Sequence, residues 1–281
     1  MSEFHRKPVT FVGEVSINVL DLEDAITFYE DVIGLRVLEK TDSKAVLTTD
    51  GKTPLLTLEQ PKDVIPKEGR TSGLYHFALL LPTRADLAVF LRHLLATQYR
   101  FGAADHGVSE ALYITDPDGN GIEVYYDRPS FEWEWTEGEV KMVTEPLDGN
   151  GILAESDAAW SGLPVGTLMG HIHLHVANLQ DAEKFYASGL GFKVVTRYEG
   201  ALFTSTGGYH HHIGLNVWNG TGAPAPKKNS VGLNWFTLVY ENEEARNKVI
   251  EQLKEIGSVV SLEAEDYVVT DPSGNEIHLV I

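Results

Sequence analysis

Cysteine is absent from this chain of 281 residues, and positively charged residues are scarce. Without cysteine the protein can form neither disulfides nor thiolate metal sites, which fits a reducing compartment and favours a cytoplasmic location. Lysine and arginine total 22 against 41 aspartates and glutamates, a formal net charge of −19. Such a surface repels phosphate backbones and anionic lipids, so neither nucleic acid nor a membrane surface is an expected partner.

Long hydrophobic runs are also missing from the sequence. No stretch reaches the roughly 18 apolar residues that a transmembrane helix needs, and the N-terminus lacks the pattern of a signal peptide. The composition is otherwise that of a globular protein, with 43% hydrophobic and 22% charged residues. The chain is therefore long enough for one large domain or two of average size.

An internal repeat organises the chain. The segment VSINVLDLEDAITFY, which begins at Val15, recurs at Ile172 as IHLHVANLQDAEKFY, and both copies read as a strand followed by an amphipathic helix. The runs GLYHFALL and DPDGNGIE of the first half return in the second half as GLNWFTLV and DPSGNEIH. The pattern predicts an α+β fold of four βαβββ modules, near residues 9–60, 70–127, 167–220 and 229–281.

The repeat is interrupted over residues 128–166, an acidic segment that we interpret as a crossover between the halves 9–127 and 167–281. Modules of this size cannot bury a core alone and must pair. Paired βαβββ modules resemble the vicinal oxygen chelate superfamily, which includes glyoxalase I, bleomycin resistance proteins and extradiol dioxygenases. The resemblance implies two barrels of curved sheet, each closed by two modules around a metal or ligand cavity.

The most informative motif is the segment 105–124, DHGVSEALYITDPDGNGIEV. Strand residues flank a tight Asp-Pro-Asp-Gly-Asn turn, which predicts a hairpin. Its second strand carries one carboxylate, Glu123, among apolar residues. A lone charge in a buried strand is costly unless it is paired or binds a cation. The motif therefore predicts a partner for Glu123, and the histidines of the chain are the candidates.

The same hairpin, with its run from His106 to Tyr113, resembles the type I extradiol dioxygenases, which open catechol rings with O₂. The resemblance implies a mononuclear non-heme Fe(II) held by two histidines and one carboxylate, here His76, Glu123 and His171, with open positions for substrate and O₂. Mn(II) takes the same donors and stays the alternative metal.

The fourth module departs from the family pattern. Trp235 stands where the family has a histidine and His278 where it has the glutamate, whereas the second module carries the complete motif. We therefore expect modules two and three to enclose the metal and modules one and four to form the other barrel. Glu14, Trp235 and His278 would occupy the equivalent positions there, and no iron site is expected because tryptophan is not a ligand.

The resemblance also implies three residues that act on the substrate. His211, the second of the three histidines 210–212, matches the family's acid–base histidine, which takes a proton from a catechol hydroxyl. His106 and Tyr113 match positions that hydrogen-bond the substrate oxygens. Because the alignment is uncertain by one residue, His212 is the second candidate for the acid–base role.

We therefore expect an extradiol catechol 2,3-dioxygenase that acts on a small aromatic diol and O₂ and, like its family, forms a homo-oligomer. Two alternatives share the fold: a glyoxalase-type metal-dependent isomerase or lyase, which usually has two carboxylate ligands, and a metal-free protein that binds small molecules. Single strand histidines are more often structural than metal ligands, and Asp-Pro-Asp-Gly-Asn is an ordinary turn signal. The assignment consequently depends on His76, Glu123 and His171 meeting at one point.

Overall fold

The computed structural model describes residues 2–281, which form two curved eight-stranded sheets with helices packed on them. Four βαβββ modules are present, so the predicted fold class is confirmed. Among residues 2–281, no helix is both long and apolar enough to cross a membrane.

Each module consists of a long strand, a helix and three shorter strands. The first module contains β1 (Phe11–Asn18), α1 (Leu22–Phe28), β2 (Arg36–Lys40), β3 (Lys44–Thr48) and β4 (Leu56–Glu59). The second contains β5 (Gly73–Leu80), α2 (Arg84–Thr97), β6 (Gly102–Asp105), β7 (Ser109–Thr115) and β8 (Gly121–Asp127). The crossover contains β9 (Trp135–Thr136), β10 (Glu139–Val140) and α3 (Gly149–Leu153).

The second half of the chain repeats this order. The third module contains β11 (Leu168–His175), α4 (Leu179–Glu183), β12 (Lys193–Tyr198), β13 (Ala201–Ser205) and β14 (Ile213–Asn216). The fourth contains β15 (Gly232–Val239), α5 (Glu243–Glu255), β16 (Val260–Glu263), β17 (Asp266–Thr270) and β18 (Glu276–Val280). Side-chain caps that accept a backbone N–H begin the four module helices, at Asp21, Thr83, Asn178 and Asn242.

The sheets pair modules from different halves of the chain. One sheet has the order β16-β17-β18-β15-β1-β4-β3-β2 and joins modules one and four. The other has the order β12-β13-β14-β11-β5-β8-β7-β6 and joins modules two and three. At the centre of each sheet the first strands of two modules run antiparallel, β1 beside β15 and β5 beside β11. Modules two and three therefore share a sheet, as the position of the complete motif predicts.

In each half of the chain, one tyrosine–aspartate contact joins the two modules, and the two contacts are equivalent. The helices α1 and α4 continue into π-helical turns that contain Tyr29 and Tyr186. The Tyr29 hydroxyl donates to Asp116 Oδ2 at 2.9 Å, and the Tyr186 hydroxyl donates to Asp271 Oδ2 at 3.0 Å. Each aspartate begins the repeated hairpin turn, and its other oxygen accepts two backbone N–H groups of that turn. The repeated Phe-Tyr and Asp-Pro motifs are thus the two sides of one buried contact.

We expect Tyr29→Phe to lower the free energy of unfolding by about 1–3 kcal/mol, because it leaves a buried carboxylate oxygen short of a donor. Tyr240→Phe is the matched control, since the Tyr240 hydroxyl is buried and has no hydrogen-bond partner within residues 2–281. Removing the Tyr240 hydroxyl should leave the free energy of unfolding almost unchanged. Urea unfolding of both variants measures the difference, and equal losses would contradict a stabilising role for the Tyr29–Asp116 contact.

Candidate active site

His76, Glu123 and His171 meet on three adjacent strands of the sheet that modules two and three share. They lie on β5, β8 and β11, and all three are buried. The Nε2 atoms of His76 and His171 are 3.0 and 3.1 Å from Glu123 Oε2. One potential ligand atom from each residue lies within 4.8 Å of the other two, an arrangement that could hold a metal ion.

Strand register explains why these side chains converge. Ala78 on β5 is the cross-strand partner of His171 on one side and of Glu123 on the other. His76 lies two residues before Ala78 and therefore shares its face of the sheet. The small Ala78 side chain, fully buried between them, leaves room above it. Bulges in the pairing of β5 with β11 on either side of His171 adjust the direction of its strand.

The electrostatics of the three residues fit a divalent cation. Burial alone would raise the pKa of Glu123, but the imidazoles of His171 and His76 outweigh burial and hold that pKa well below its usual value. Burial lowers the pKa of His171, although the neighbouring Glu123 carboxylate opposes this shift. His76 Nε2 is buried and lies close to Glu123 Oε2 without hydrogen-bond geometry, whereas His171 Nε2 forms a hydrogen bond with the same oxygen. An ionised carboxylate beside two imidazole nitrogens is a donor set suited to iron or manganese.

A cavity of about 800 Å³ opens above His76 and Glu123. Its walls come from modules two and three and from residues 142–145 of the crossover, and they include the aromatic side chains of Tyr75, Tyr198, Phe203 and Trp218. Among the described residues that line it, none is lysine or arginine, and Glu145 adds a carboxylate. The cavity is therefore largely apolar, and its charged groups other than histidine are acidic.

His106 and Tyr113 lie together on the cavity wall. His106 Nδ1 is 2.7 Å from the Val143 carbonyl oxygen, and His106 Nε2 is 2.6 Å from the Tyr113 hydroxyl. A carbonyl only accepts, so the Nδ1 proton is donated to it, and a neutral ring then accepts the Tyr113 proton at Nε2. Burial raises the pKa of Tyr113 well above its usual value and keeps the hydroxyl protonated. Its oxygen lone pairs remain available to a ligand.

The histidines 210–212 lie in the loop between β13 and β14, immediately before β14. His211 lines the cavity, and its ring centroid is 4.1 Å from that of His171. His212 instead has its Nε2 atom 3.0 Å from the Phe4 carbonyl oxygen. Of the two candidates for the acid–base role, His211 is the one that lines this cavity. Burial lowers the pKa of His211 well below its usual value, so the ring is neutral.

One part of the cavity wall was not foreseen in the sequence, whereas His173 follows from strand alternation. Residues 142–145 cover one side, and the apolar Val140 and Met142 within an acidic crossover were the only signal of this. His173 lines the cavity beside His76, with its Nε2 atom 2.9 Å from Asn216 Nδ2. Strand alternation with His171 is the pattern that indicates this position.

The other sheet holds a different group at the equivalent positions. Trp235 stacks on His278 with ring centroids 4.8 Å apart, and Glu14 accepts a hydrogen bond from the Thr57 hydroxyl. Burial raises the pKa of Glu14. Within residues 2–281, the one cluster of His, Cys, Asp or Glu side chains with metal-binding geometry is that of modules two and three.

Sequence comparison places these observations in a family. The model of the glyoxalase/bleomycin resistance protein/dioxygenase superfamily matches residues 11–124 and 168–279. The chain belongs to this superfamily. It is 45% identical over 278 residues to the catechol-2,3-dioxygenase of Bacillus subtilis (strain 168), covering 97% of this chain and 98% of that protein. It is also 29% identical over 148 residues to biphenyl-2,3-diol 1,2-dioxygenase 3 of Rhodococcus globerulus, covering 50% of this chain and 77% of that protein.

Two solved structures, one from a bacterium and one from a plant, share the fold of this chain. A putative dioxygenase from Bacillus subtilis subsp. subtilis str. 168 matches with a TM-score of 0.66 at 13% identity, covering 98% of this chain and 86% of that one. Glyoxalase I from Zea mays matches with a TM-score of 0.59 at 16% identity, covering 96% and 92%. At these identities the likeness concerns the fold alone.

We expect Gly170→Ala to weaken metal binding by roughly tenfold or more, the cost typical of disturbing the support of a ligand. Gly170 precedes His171, and a Cβ there would overlap the Tyr125 hydroxyl, so β11 must shift. Gly69→Ala is the control, because Gly69 has open space around it and an ordinary backbone conformation. Zn(II) dissociation constants from chelator competition compare the two. An unchanged constant for Gly170→Ala would contradict the role of this close contact.

Proposed function

We propose that this protein is an extradiol catechol 2,3-dioxygenase with one Fe(II) held by His76, Glu123 and His171. The observation that carries the proposal is the convergence of two imidazoles and one buried carboxylate at one point, where His76 and Glu123 border a cavity. This donor set is typical of non-heme Fe(II) oxygenases and leaves coordination positions open. Full-length similarity to a catechol-2,3-dioxygenase supports it. Mn(II), which takes the same donors, is the alternative metal.

The residues around the cavity would bind the diol and accept its proton. When bound, the metal would supply Lewis acidity and reactivity toward O₂ that side chains lack. His211 would accept the proton of one catechol hydroxyl, since its neutral ring borders the cavity. Tyr113, held by His106, would accept a hydrogen bond from a substrate hydroxyl. The aromatic walls would pack on the ring of the diol and exclude water.

Within this function we propose that the substrates are neutral catechols with an apolar substituent. A cavity of about 800 Å³ lies in the upper part of the range that holds drug-sized ligands, so it has room for a substituent. Among the described lining residues there is neither lysine nor arginine to pair with a substrate carboxylate, and Glu145 would repel one. Burying an unpaired carboxylate is costly, so acidic catechols are disfavoured.

Glu123→Gln and His171→Ala should each abolish retention of the single iron while the protein stays folded, because each removes one of three donors. Glu14→Gln is the matched control, since Glu14 occupies the equivalent position in the sheet of modules one and four, where residues 2–281 form no metal-binding cluster. Metal analysis after anaerobic Fe(II) loading and gel filtration gives the occupancy, and circular dichroism gives the fold. Full occupancy in either ligand variant would refute the proposed ligand set.

A pair of substrates that differ by one group tests both the activity and the substrate class. The Fe(II)-loaded protein should consume O₂ with 4-methylcatechol and form a yellow ring-opened product. The second substrate, 3,4-dihydroxybenzoate, has a carboxylate in place of the methyl group. Its kcat/KM should be lower by at least about tenfold, which corresponds to about 1.4 kcal/mol of transition-state stabilisation.

An oxygen electrode and visible absorbance follow both reactions. A glyoxalase-type isomerase or lyase would consume no O₂, and a metal-free binding protein would leave both diols unchanged. Equal kcat/KM values for the two diols would preserve the activity and reject the proposed preference for neutral substrates.

A further inference from the structure

A continuous line of hydrogen bonds leads from the cavity to a second pocket. Asp127 Oδ1 is 2.7 Å from His210 Nε2, and His210 Nδ1 is 2.8 Å from His211 Nδ1. His211 lines the cavity, His210 is fully buried, and Asp127 lines a separate pocket of about 280 Å³. The residue proposed to handle the substrate proton is therefore tied, through one buried ring, to a carboxylate outside the cavity.

We propose that Asp127 and His210 are positioning residues that fix the tautomer of His211, so that its Nε2 atom presents a lone pair to the substrate. A carboxylate oxygen only accepts, so His210 must donate its Nε2 proton to Asp127. In the proposed tautomer His210 carries its single ring proton on Nε2 and has a lone pair on Nδ1. The 2.8 Å contact between the two Nδ1 atoms then requires His211 to donate its Nδ1 proton. The lone pair of His211 is thereby left on Nε2, which makes no hydrogen bond within residues 2–281.

The surroundings of Asp127 and His210 restrict both side chains to this arrangement. The second carboxylate oxygen of Asp127 accepts the Tyr209 hydroxyl at 2.9 Å. The ring of His210 packs against Tyr209, with centroids 4.0 Å apart, and against Trp133 of the crossover at 5.1 Å. Neither side chain can turn without losing a buried contact. The positions of the hydrogen-bonding atoms are therefore fixed by packing before any substrate arrives.

The same hydrogen bonds also stabilise His211 after it accepts a proton from the substrate. Transfer from a catechol breaks its O–H bond, leaves the electron pair on oxygen and forms an N–H bond at His211 Nε2. The resulting imidazolium already donates through Nδ1 to His210, which in turn donates to the Asp127 carboxylate. The Asp of a Ser-His-Asp triad holds its histidine and stabilises the imidazolium in the same way, although there the contact is direct. The inference rests on the proposed function only in taking His211 as the proton acceptor.

The first test reads the tautomer without using catalysis. The full chain, labelled with ¹⁵N-histidine and loaded with diamagnetic Zn(II), is studied by long-range ¹H–¹⁵N correlation spectroscopy, and His211→Gln assigns the resonance. We expect the wild-type protein to have the His211 proton on Nδ1. In His210→Phe, which keeps a ring but removes the acceptor, the proton should redistribute to Nε2. A wild-type His211 with its proton on Nε2 would overturn the proposal.

The second test compares the kinetics of Fe(II)-loaded variants with 4-methylcatechol. His210→Phe and Asp127→Asn should each lower kcat by about tenfold or more, part of the 10²–10⁴-fold that general acid–base catalysis contributes, with KM within about threefold of wild type. His93→Gln is the control, because His93 on α2 also contacts a backbone carbonyl oxygen, that of Val32, and does not line the cavity. It should retain wild-type kcat.

The outcomes separate the positioning role from a structural one and from the proposed function. Unchanged kcat in a folded, iron-retaining His210→Phe would overturn the proposal. Should His210→Phe not fold, the nearly isosteric Asp127→Asn decides by the same kinetic criterion. A wild-type protein that cleaves no catechol would refute the proposed function, and the tautomer measurement would still decide whether Asp127 and His210 fix the ring of His211.

Discussion

The buried carboxylate of Glu123 is the constraint around which the sheet of modules two and three is arranged. A charge buried in the middle of an eight-stranded sheet would destabilise the fold if nothing compensated it. Compensation comes from two imidazoles on the neighbouring strands, which are aligned by the register of Ala78 with β8 and β11. The polar turn at Asp116 and the close packing of Gly170 on Tyr125 maintain that register. The strands, the turn and the glycine therefore all help to keep the two imidazoles beside the Glu123 carboxylate.

Because each sheet combines modules from both halves, the site belongs to neither half alone. His76 and Glu123 come from the second module and His171 from the third. The tyrosine–aspartate contacts act in the other direction, joining modules one and two and modules three and four. Sheet pairing and these contacts together link all four modules in a closed cycle. The position of the candidate metal ligands is thus determined by contacts that extend well beyond the cavity.

The sequence was most informative where local patterns repeat. Four modules, the hairpin turns and the helix caps follow from periodicity and turn chemistry, which are local properties of the chain. The meeting of His76, Glu123 and His171 could be predicted because the motif resembles a family that holds them at one point. The loop position of residues 210–212 could not, since three histidines before an apolar strand read equally well as part of that strand.

Contacts made by irregular segments were the least predictable. The wall formed by residues 142–145 and the hydrogen bond between Asp127 and His210 join segments far apart in the chain, without a periodic pattern. Their positions depend on the packing of Trp133 and Tyr209, which only the assembled structure determines. Composition could nevertheless indicate an acidic protein, and the cavity shares that character.

A cavity without lysine or arginine among its described lining residues also favours departure of an acidic product. Opening a catechol ring beside a hydroxyl turns a neutral diol into an acid that is ionised at neutral pH. The newly formed anion would find no cation on the walls, the carboxylate of Glu145 nearby, and a protein of net charge −19 around it. Electrostatic repulsion that arises only after the reaction would then drive product release and limit product inhibition.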